Sequence, residues 1–196
     1  MQGIVSLFMP AVLGIIADRW IPAQKLLSFS HFTAALFMAA AGYYGMTKGA
    51  DVDFGTLFTL YSLSVAFYMP TLALSNSVAY TALDKAGLDT IRTFPPIRIF
   101  GTIGFICSMW VVDLLGLQNN YGQFFACAII GVAYGVYALT LPECPTSKGD
   151  NAKSLVEALG LRAFTLFKQK KMAVFFIFSM LLGVSLQITN GFANPY

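Results

Sequence analysis

Six apolar runs alternate with short polar segments along the chain. An α-helix needs ~20 apolar residues to cross a bilayer, and most of the runs reach or approach that length, the first being the shortest. The pattern therefore predicts an all-α transmembrane protein. The six runs lie at about residues 4–17, 26–46, 54–83, 94–117, 121–141 and 172–192.

Composition supports a membrane protein. Charged residues make up 11% of the 196 residues and hydrophobic residues 57%, whereas a soluble domain carries about 25% charged residues. The cysteines Cys107, Cys127 and Cys144 are odd in number and contain no CxxC pair, which argues against a metal site and a disulfide framework. Met1 leads directly into an apolar run, so no signal peptide is expected.

Lysine and arginine are distributed unevenly between the two sets of loops. The loops at 18–25, 84–92 and 142–171 contain nearly all of these residues, while the loops at 47–53 and 117–122 contain only Lys48. Positive charge is retained on the cytoplasmic side of a membrane. We therefore expect the first set of loops to be cytoplasmic, and we read the net charge of +3 as a consequence of topology, not of nucleic-acid binding.

One arginine lies inside an apolar run. A charged residue within a spanning helix is costly and usually faces a partner or a water-filled cavity. At helical spacing Arg98, Thr102 and Phe105 share one face, which offers a cation, a hydroxyl and an aromatic plane. A neighbouring stripe, where another helix could approach closely, consists of three small residues, Gly101, Gly104 and Ser108.

The first polar segment carries a recognisable motif. Gly14, Asp18, Arg19 and Lys25 resemble the loop signature of the major facilitator superfamily between its helices 2 and 3. An ordinary charged loop is the simpler alternative. The resemblance implies a conformational latch in this loop and makes the six runs about helices 2–7 of a twelve-helix bundle.

This numbering predicts the organisation of the chain. Residues 1–141 would hold helices 2–6 of the N-terminal half, with helix 1 missing. Residues 142–171 would be the cytoplasmic loop between the halves, with an amphipathic helix that begins at a capping box at 154–157. Residues 172–196 would be the first, truncated helix of the C-terminal half. We therefore interpret the chain as a fragment that also lacks helices 8–12.

Several longer stretches are similar to a narrower family, the bacterial nucleoside:proton symporters. They are residues 94–105 (FPPIRIFGTIGF), 8–18, 68–72, 140–142, 175–183 and 186–190. The resemblance implies a nucleoside transporter of the bacterial inner membrane that works by alternating access. Its coupling ion would be the proton, with no other cofactor, no metal and no enzymatic activity. The acidic groups linked to proton coupling in this family would lie in the missing half.

The resemblance also implies which residues bind the substrate. The matching positions are Arg98, Thr102, Phe105, Gln187 and Asn190. Their chemistry suits a nucleoside, because amides both donate and accept hydrogen bonds and an aromatic ring can stack on a base. For Gln187 and Asn190, hydrogen bonding between helices is the alternative role.

Other polar residues in the apolar runs are weaker candidates. Asn76 and Tyr80 could line the cavity, although a structural role is favoured for both. His31 could relay protons, but packing near the cytoplasmic face is the preferred interpretation. Asp113 lies roughly 22 Å along the helix from Arg98 at 1.5 Å per residue, too far for a direct ion pair, and we expect it to be solvated.

Three other functions remain open at the level of the sequence. The pattern R-x-x-G-x-x-G-aromatic at 98–105 also resembles helix 5 of disaccharide permeases, so a sugar:proton symporter is the closest alternative. A truncated membrane fragment that transports nothing is the second. A membrane enzyme is the third, and the absence of a clustered His, Cys and carboxylate set in the sequence argues against it.

Overall fold

A computed structural model of the chain describes residues 2–146 and 167–192. Within these ranges the regular structure is helical and contains no β-strand, which confirms the predicted all-α fold. The helices are α1 (Gln2–Arg19), α2 (Ala23–Lys48), a 3-10 turn (Gly49–Asp51), α3 (Phe54–Lys85), α4 (Thr90–Leu114), α5 (Gly122–Ala138) and α6 (Lys170–Phe192).

The chain divides into two compact units, Met1–Gly149 and Asp150–Tyr196. The first unit contains α1 to α5 and the second contains α6. In the second unit the ring of Phe167 stacks on that of Phe176, with centroids 4.8 Å apart. The amphipathic helix that we predict from residue 154 lies outside the described residues.

Three helices in the described part of the chain are long and apolar enough to cross a membrane. They are Ala23–Asp51, Phe54–Lys85 and Thr90–Leu114. Two apolar segments are shorter, Phe8–Ala17 and Gly122–Ala138.

Helix α4 begins earlier than its apolar run suggests. The run opens at Phe94, next to Pro95 and Pro96, but the helix starts at Thr90. The reason is the polar residue Asp89, which accepts a hydrogen bond from the amide of Ile91 at 3.0 Å and so satisfies one of the unpaired donors at the helix start. Three of the four added residues, Thr90, Arg92 and Thr93, are polar, so hydropathy does not reveal this turn.

Helix α2 is the centre of the first unit, packed between α3 and α5, while α1 packs mainly on α3. Buried serines join these helices: Ser28 Oγ donates to the carbonyl of Gly135 at 2.7 Å and Ser64 Oγ to that of Ala34 at 2.8 Å. Such hydrogen bonds hold helices together where the hydrophobic effect supplies no driving force. By contrast, α4 packs mainly on α3 and has no buried residue.

Glycines permit the close approach of α5 to α2. A Cβ atom on Gly131 would lie 3.1 Å from the Cβ of Ala35, and one on Gly135 would lie 3.1–3.2 Å from the ring of Phe32. On α2, a Cβ on Gly42 would meet the ring of Phe125 at 3.1 Å. The GxxxG spacing of Gly131 and Gly135 therefore works as small-residue packing motifs do in membranes.

A pH-dependent helix cap begins α3. Asp53 accepts a hydrogen bond from the Thr56 amide at 2.8 Å and another from the Thr56 hydroxyl at 2.9 Å. These bonds, the backbone one first, lower the pKa of the Asp53 carboxyl below its ordinary value. The folded protein therefore favours the ionised form of the Asp53 carboxyl more strongly than the unfolded chain does.

We expect the first turn of α3 to loosen in acid. A lowered pKa gives a stabilisation that is present above the unfolded-state pKa and is lost as the pH falls through the folded-state pKa. Hydrogen exchange of the Thr56 amide, corrected for the intrinsic effect of pH, should accelerate in that window. Asp53→Asn, which caps without titrating, should abolish the pH dependence. If the exchange rate depended on pH in the same way in the wild type and the variant, the Asp53 cap would not be the cause of that dependence.

Candidate functional site

Helix α4 carries the polar face that the sequence predicts. Arg98, Thr102 and Phe105 lie on one uninterrupted helix at positions i, i+4 and i+7, and their side chains are exposed in the first unit, Phe105 to 63%. Among the ion pairs of the described residues, none includes Arg98. The face therefore presents an unneutralised guanidinium next to a hydroxyl and an aromatic ring.

The small-residue stripe beside this face carries no helix within the described structure. A Cβ on Gly104 would have no heavy atom within 4 Å, and one on Gly101 would meet only the guanidinium of Arg98, at 2.8 Å. Ser108 donates to the carbonyl of Phe105 on its own helix at 2.8 Å. The space beside Gly101 is thus occupied by the arginine side chain and not by a neighbouring helix.

The two weaker candidates on α3 are both exposed. The Tyr80 ring packs on Phe94, with centroids 4.5 Å apart, and so forms part of the α3–α4 contact. The Asn76 side chain is exposed. Cavity lining by Asn76 and Tyr80 remains a prediction.

The motif between α1 and α2 is partly visible. Asp18 and Arg19 end α1, and Arg19 is partly buried. A Cβ on Gly14 would find no heavy atom of a neighbouring described element within 4 Å. Lys25 Nζ lies 3.9 Å from Glu143 Oε1, with both side chains exposed, and such a pair contributes little to stability.

The segment after α5 folds back onto the same end of the bundle. The amide of Cys144 donates to Oε1 of the buried Gln24 side chain at 3.0 Å, and Lys85 Nζ donates to the carbonyl of Glu143 at 2.6 Å. We call these contacts of residues 143–144 the clasp. It connects the start of α2 and the end of α3 to the exit of α5.

The clasp encloses an apolar cluster at this end of the first unit. The cluster combines the end of α1, the start of α2, the middle of α3 and the end of α5 around the Cys144 side chain. Its buried members are Leu13, Ala17, Ala23, Leu26, Leu27, Leu74, Val78, Ala138 and Cys144. The sequence pattern did not reveal the clasp, because Gln24 reads as an ordinary polar residue of a charged loop.

Removing the Gln24 amide is expected to destabilise the first unit. Gln24→Leu keeps the side chain's size but leaves the buried Cys144 amide without an acceptor, at a cost of about 1–3 kcal/mol. The thermal unfolding midpoint in detergent should fall by several degrees. Gln123→Leu is the matched control, because Gln123 is exposed on α5. Equal midpoints for the two variants would show that the clasp does not stabilise the unit.

His31 is buried among aromatic side chains. Its ring lies edge-on to Tyr134 of α5, with centroids 4.5 Å apart, and to Tyr68 of α3 at 6.0 Å. These contacts agree with the packing interpretation of His31, and a part in proton relay stays untested. Asp113, near the end of α4, is exposed and accepts a hydrogen bond from Gln118, which agrees with the expected position in a polar environment.

The second unit carries the remaining predicted residues. Gln187 and Asn190 lie in the last turns of α6, three positions apart, but their side chains lie outside the described part of the structure. No group of three or more potential metal ligands occurs among the residues described. Within the same ranges the three cysteines are free thiols, Cys144 being buried.

The architecture defines a multi-pass helical membrane protein with a polar, cationic face on one of its spanning helices. The family model described as "Nucleoside H+ symporter" matches residues 1–196, and the chain belongs to this family.

Named relatives agree with this assignment. The chain is 43% identical over 197 residues to the xanthosine permease of Escherichia coli (strain K12), covering 100% of this chain and 45% of the relative. It is 45% identical over 196 residues to the nucleoside permease NupG of the same organism, covering 99% of this chain and 45% of the relative. The chain therefore spans under half the length of these permeases.

A solved structure confirms the predicted fold class. A crystal structure of the nucleoside transporter NupG (D323A mutant) matches with a TM-score of 0.80 and 43% sequence identity. The match covers 99% of this chain and 46% of that chain. The predicted helix bundle of the major facilitator superfamily is therefore correct, and the family match over residues 1–196 confirms the resemblance to nucleoside:proton symporters.

Proposed function

We propose that the chain works in proton-coupled import of nucleosides by alternating access across a bacterial cytoplasmic membrane. The observation that carries this proposal is the exposed Arg98 face of α4, in a chain whose family model is that of nucleoside–proton symporters. A guanidinium that lies unpaired on a spanning helix is expensive unless it serves a ligand or a cavity. The relatives are named as permeases for nucleosides and xanthosine, which supports a nucleoside as the ligand.

The residues of the face divide the recognition between them. Arg98 and Thr102 hold polar groups of the nucleoside, because a guanidinium donates in a fixed fork and a hydroxyl both donates and accepts. Phe105 packs on the base or ribose. Gln187 and Asn190 of α6 bind further polar edges, since amides supply donors and acceptors together. The proton is the coupling ion, and we assign no other cofactor, metal or catalytic step to the chain.

Topology and conformational control follow from the charged loops. The loops at 18–25, 84–92 and 142–171 face the cytoplasm. Asp18 and Arg19, with Gly14 and Lys25, bias the equilibrium between inward-open and outward-open states. The contact of Lys25 with Glu143 places the end of this motif beside the exit of α5.

Uptake measurements test the proposal. The protein encoded by the complete reading frame that contains residues 1–196 is reconstituted in liposomes. Uptake of radiolabelled uridine is then followed with and without an inward proton gradient. We expect gradient-dependent uptake that unlabelled xanthosine or uridine inhibits and a galactoside does not. Inhibition by the galactoside, without inhibition by the unlabelled nucleosides, would show that the substrate is a sugar and not a nucleoside.

The 196-residue chain by itself provides the second arm of this test. We expect it to insert into liposomes without transporting uridine, because the chain spans 45% of the permeases it matches and alternating access requires two halves that rock about a central site. Gradient-dependent uptake by this chain would overturn that expectation.

A further inference from the structure

The Arg98 side chain occupies the space of the residue three positions further along α4. An ideal Cβ on Gly101 would lie 2.8 Å from Nη1 of Arg98 and 3.9 Å from its Cζ. Real Cβ atoms are essentially never found closer than 3.0 Å to another heavy atom. The guanidinium therefore lies where any side chain at position 101 would begin.

This direction is opposite to the one that a helix favours. Cα–Cβ bonds tilt toward the helix N-terminus, and long side chains usually continue that way. In α4 the N-terminus adjoins the polar loop at 84–92, so an unconstrained arginine would extend its charge toward the aqueous interface. By lying over Gly101, the Arg98 guanidinium reaches roughly 4.5 Å further along the helix at 1.5 Å per residue, toward Thr102 and Phe105.

The neighbouring glycine shows that the effect is local. A Cβ on Gly104 would have no heavy atom within 4 Å, although Gly104 lies only one turn beyond Gly101 on the same helix. Nor does a carboxylate in the described part of the chain pair with Arg98 and pull it inward. The observed rotamer of Arg98 therefore requires that position 101 has no side chain.

We propose that Gly101 is a positioning residue that sets the depth of the Arg98 guanidinium and thereby the affinity of the α4 face for its ligand. A methyl group at position 101 must displace the Nη1 end of the guanidinium, and we expect the displaced side chain to turn toward the cytoplasmic interface. Because the displaced atom is the end of a flexible side chain, the helix itself tolerates the change. The proposal deepens the proposed function and depends on it for the identity of the ligand.

Chemical modification of the arginine tests the geometry without any substrate. The full-length protein and its Gly101→Ala and Gly104→Ala variants are treated with phenylglyoxal, and modification of Arg98 is measured by peptide mass spectrometry. Arg92, exposed at the start of the same helix, is the internal reference. We expect Arg98 to react several-fold faster in Gly101→Ala and at the wild-type rate in Gly104→Ala, with Arg92 unchanged.

Binding measurements on the same samples connect the geometry to function. We expect the Kd for uridine to rise about tenfold in Gly101→Ala and to stay at the wild-type value in Gly104→Ala, with equal unfolding midpoints. An unchanged Arg98 modification rate in Gly101→Ala would overturn the positioning role. Faster modification with an unchanged Kd would leave Gly101's control of the rotamer intact and contradict the nucleoside site of the proposed function.

Discussion

Replacing Arg98 by alanine in the full-length protein is expected to weaken uridine binding by roughly 10- to 150-fold while leaving expression and folding intact. The estimate corresponds to the loss of one hydrogen bond from a charged group, about 1.5–3 kcal/mol. Folding should not suffer, because Arg98 is exposed on α4 and no ion pair in the described structure includes it. Equilibrium binding of radiolabelled uridine to purified protein measures the effect.

The matched control is the other arginine of the same helix. Arg92 lies at the start of α4, where it pairs with Asp89 at 3.6 Å and has an exposed side chain. Arg92→Ala removes the same charge from α4 without touching the polar face, so its uridine affinity should equal that of the wild type. Wild-type affinity in Arg98→Ala would remove Arg98 from the site, whereas equal losses in both variants would indicate a general effect of charge.

Leucine at Gly135 is expected to separate α5 from α2 and to destabilise the first unit by about 3 kcal/mol or more. Overpacking a close-packed contact typically costs 1–3 kcal/mol. Here even a Cβ would press on the Phe32 ring at 3.1–3.2 Å. The same separation would break the 2.7 Å hydrogen bond from Ser28 to the Gly135 carbonyl, which adds the cost of an unpaired buried hydroxyl.

A thiol-reactive dye can follow this unfolding. Cys144 is buried in the apolar cluster, whereas Cys107 and Cys127 are exposed, so the late rise in dye fluorescence on heating reports the loss of that cluster. Ala133→Leu places the same side chain at an exposed position of α5 and should unfold at the wild-type temperature. A midpoint for Gly135→Leu equal to that of this control would show that α5 does not pack on α2 through Gly135.

Much of the helical framework can be predicted from the sequence because a membrane imposes strong local rules. Runs of apolar residues near the spanning length give helices, and charge in the loops gives their orientation. The Arg98 face was visible for the same reason, since a charge in an apolar run stands out and Thr102 and Phe105 follow it at helical spacing. The family resemblance rested on contiguous stretches and needed no tertiary information.

Helix ends were less accurate. Hydropathy placed the start of the fourth helix near Phe94, whereas Asp89 starts α4 at Thr90. The capping residue is polar, as are three of the four residues of the first turn, Thr90, Arg92 and Thr93. Hydropathy therefore assigns this stretch to the loop.

The pairing of the helices is decided by tertiary structure alone. In a membrane protein, both the lipid-facing and the protein-facing sides of a helix are apolar. Hydropathy therefore does not distinguish the face of α2 that packs on α5 from a face that contacts lipid. Contacts such as Ser28 with Gly135, which are 107 residues apart, and Gln24 with Cys144, 120 apart, depend on how closely two backbones approach.

The same division applies to the site. The sequence by itself determined a helical membrane protein of the nucleoside–proton symporter family with a cationic face on α4. Only the tertiary structure showed that His31 is packed between tyrosines, that residues 143–144 clasp α2 and α3, and that Gly101 makes room for the Arg98 guanidinium. The physical reason is that composition and period act along the chain, whereas steric fit depends on which atoms the fold brings within contact distance.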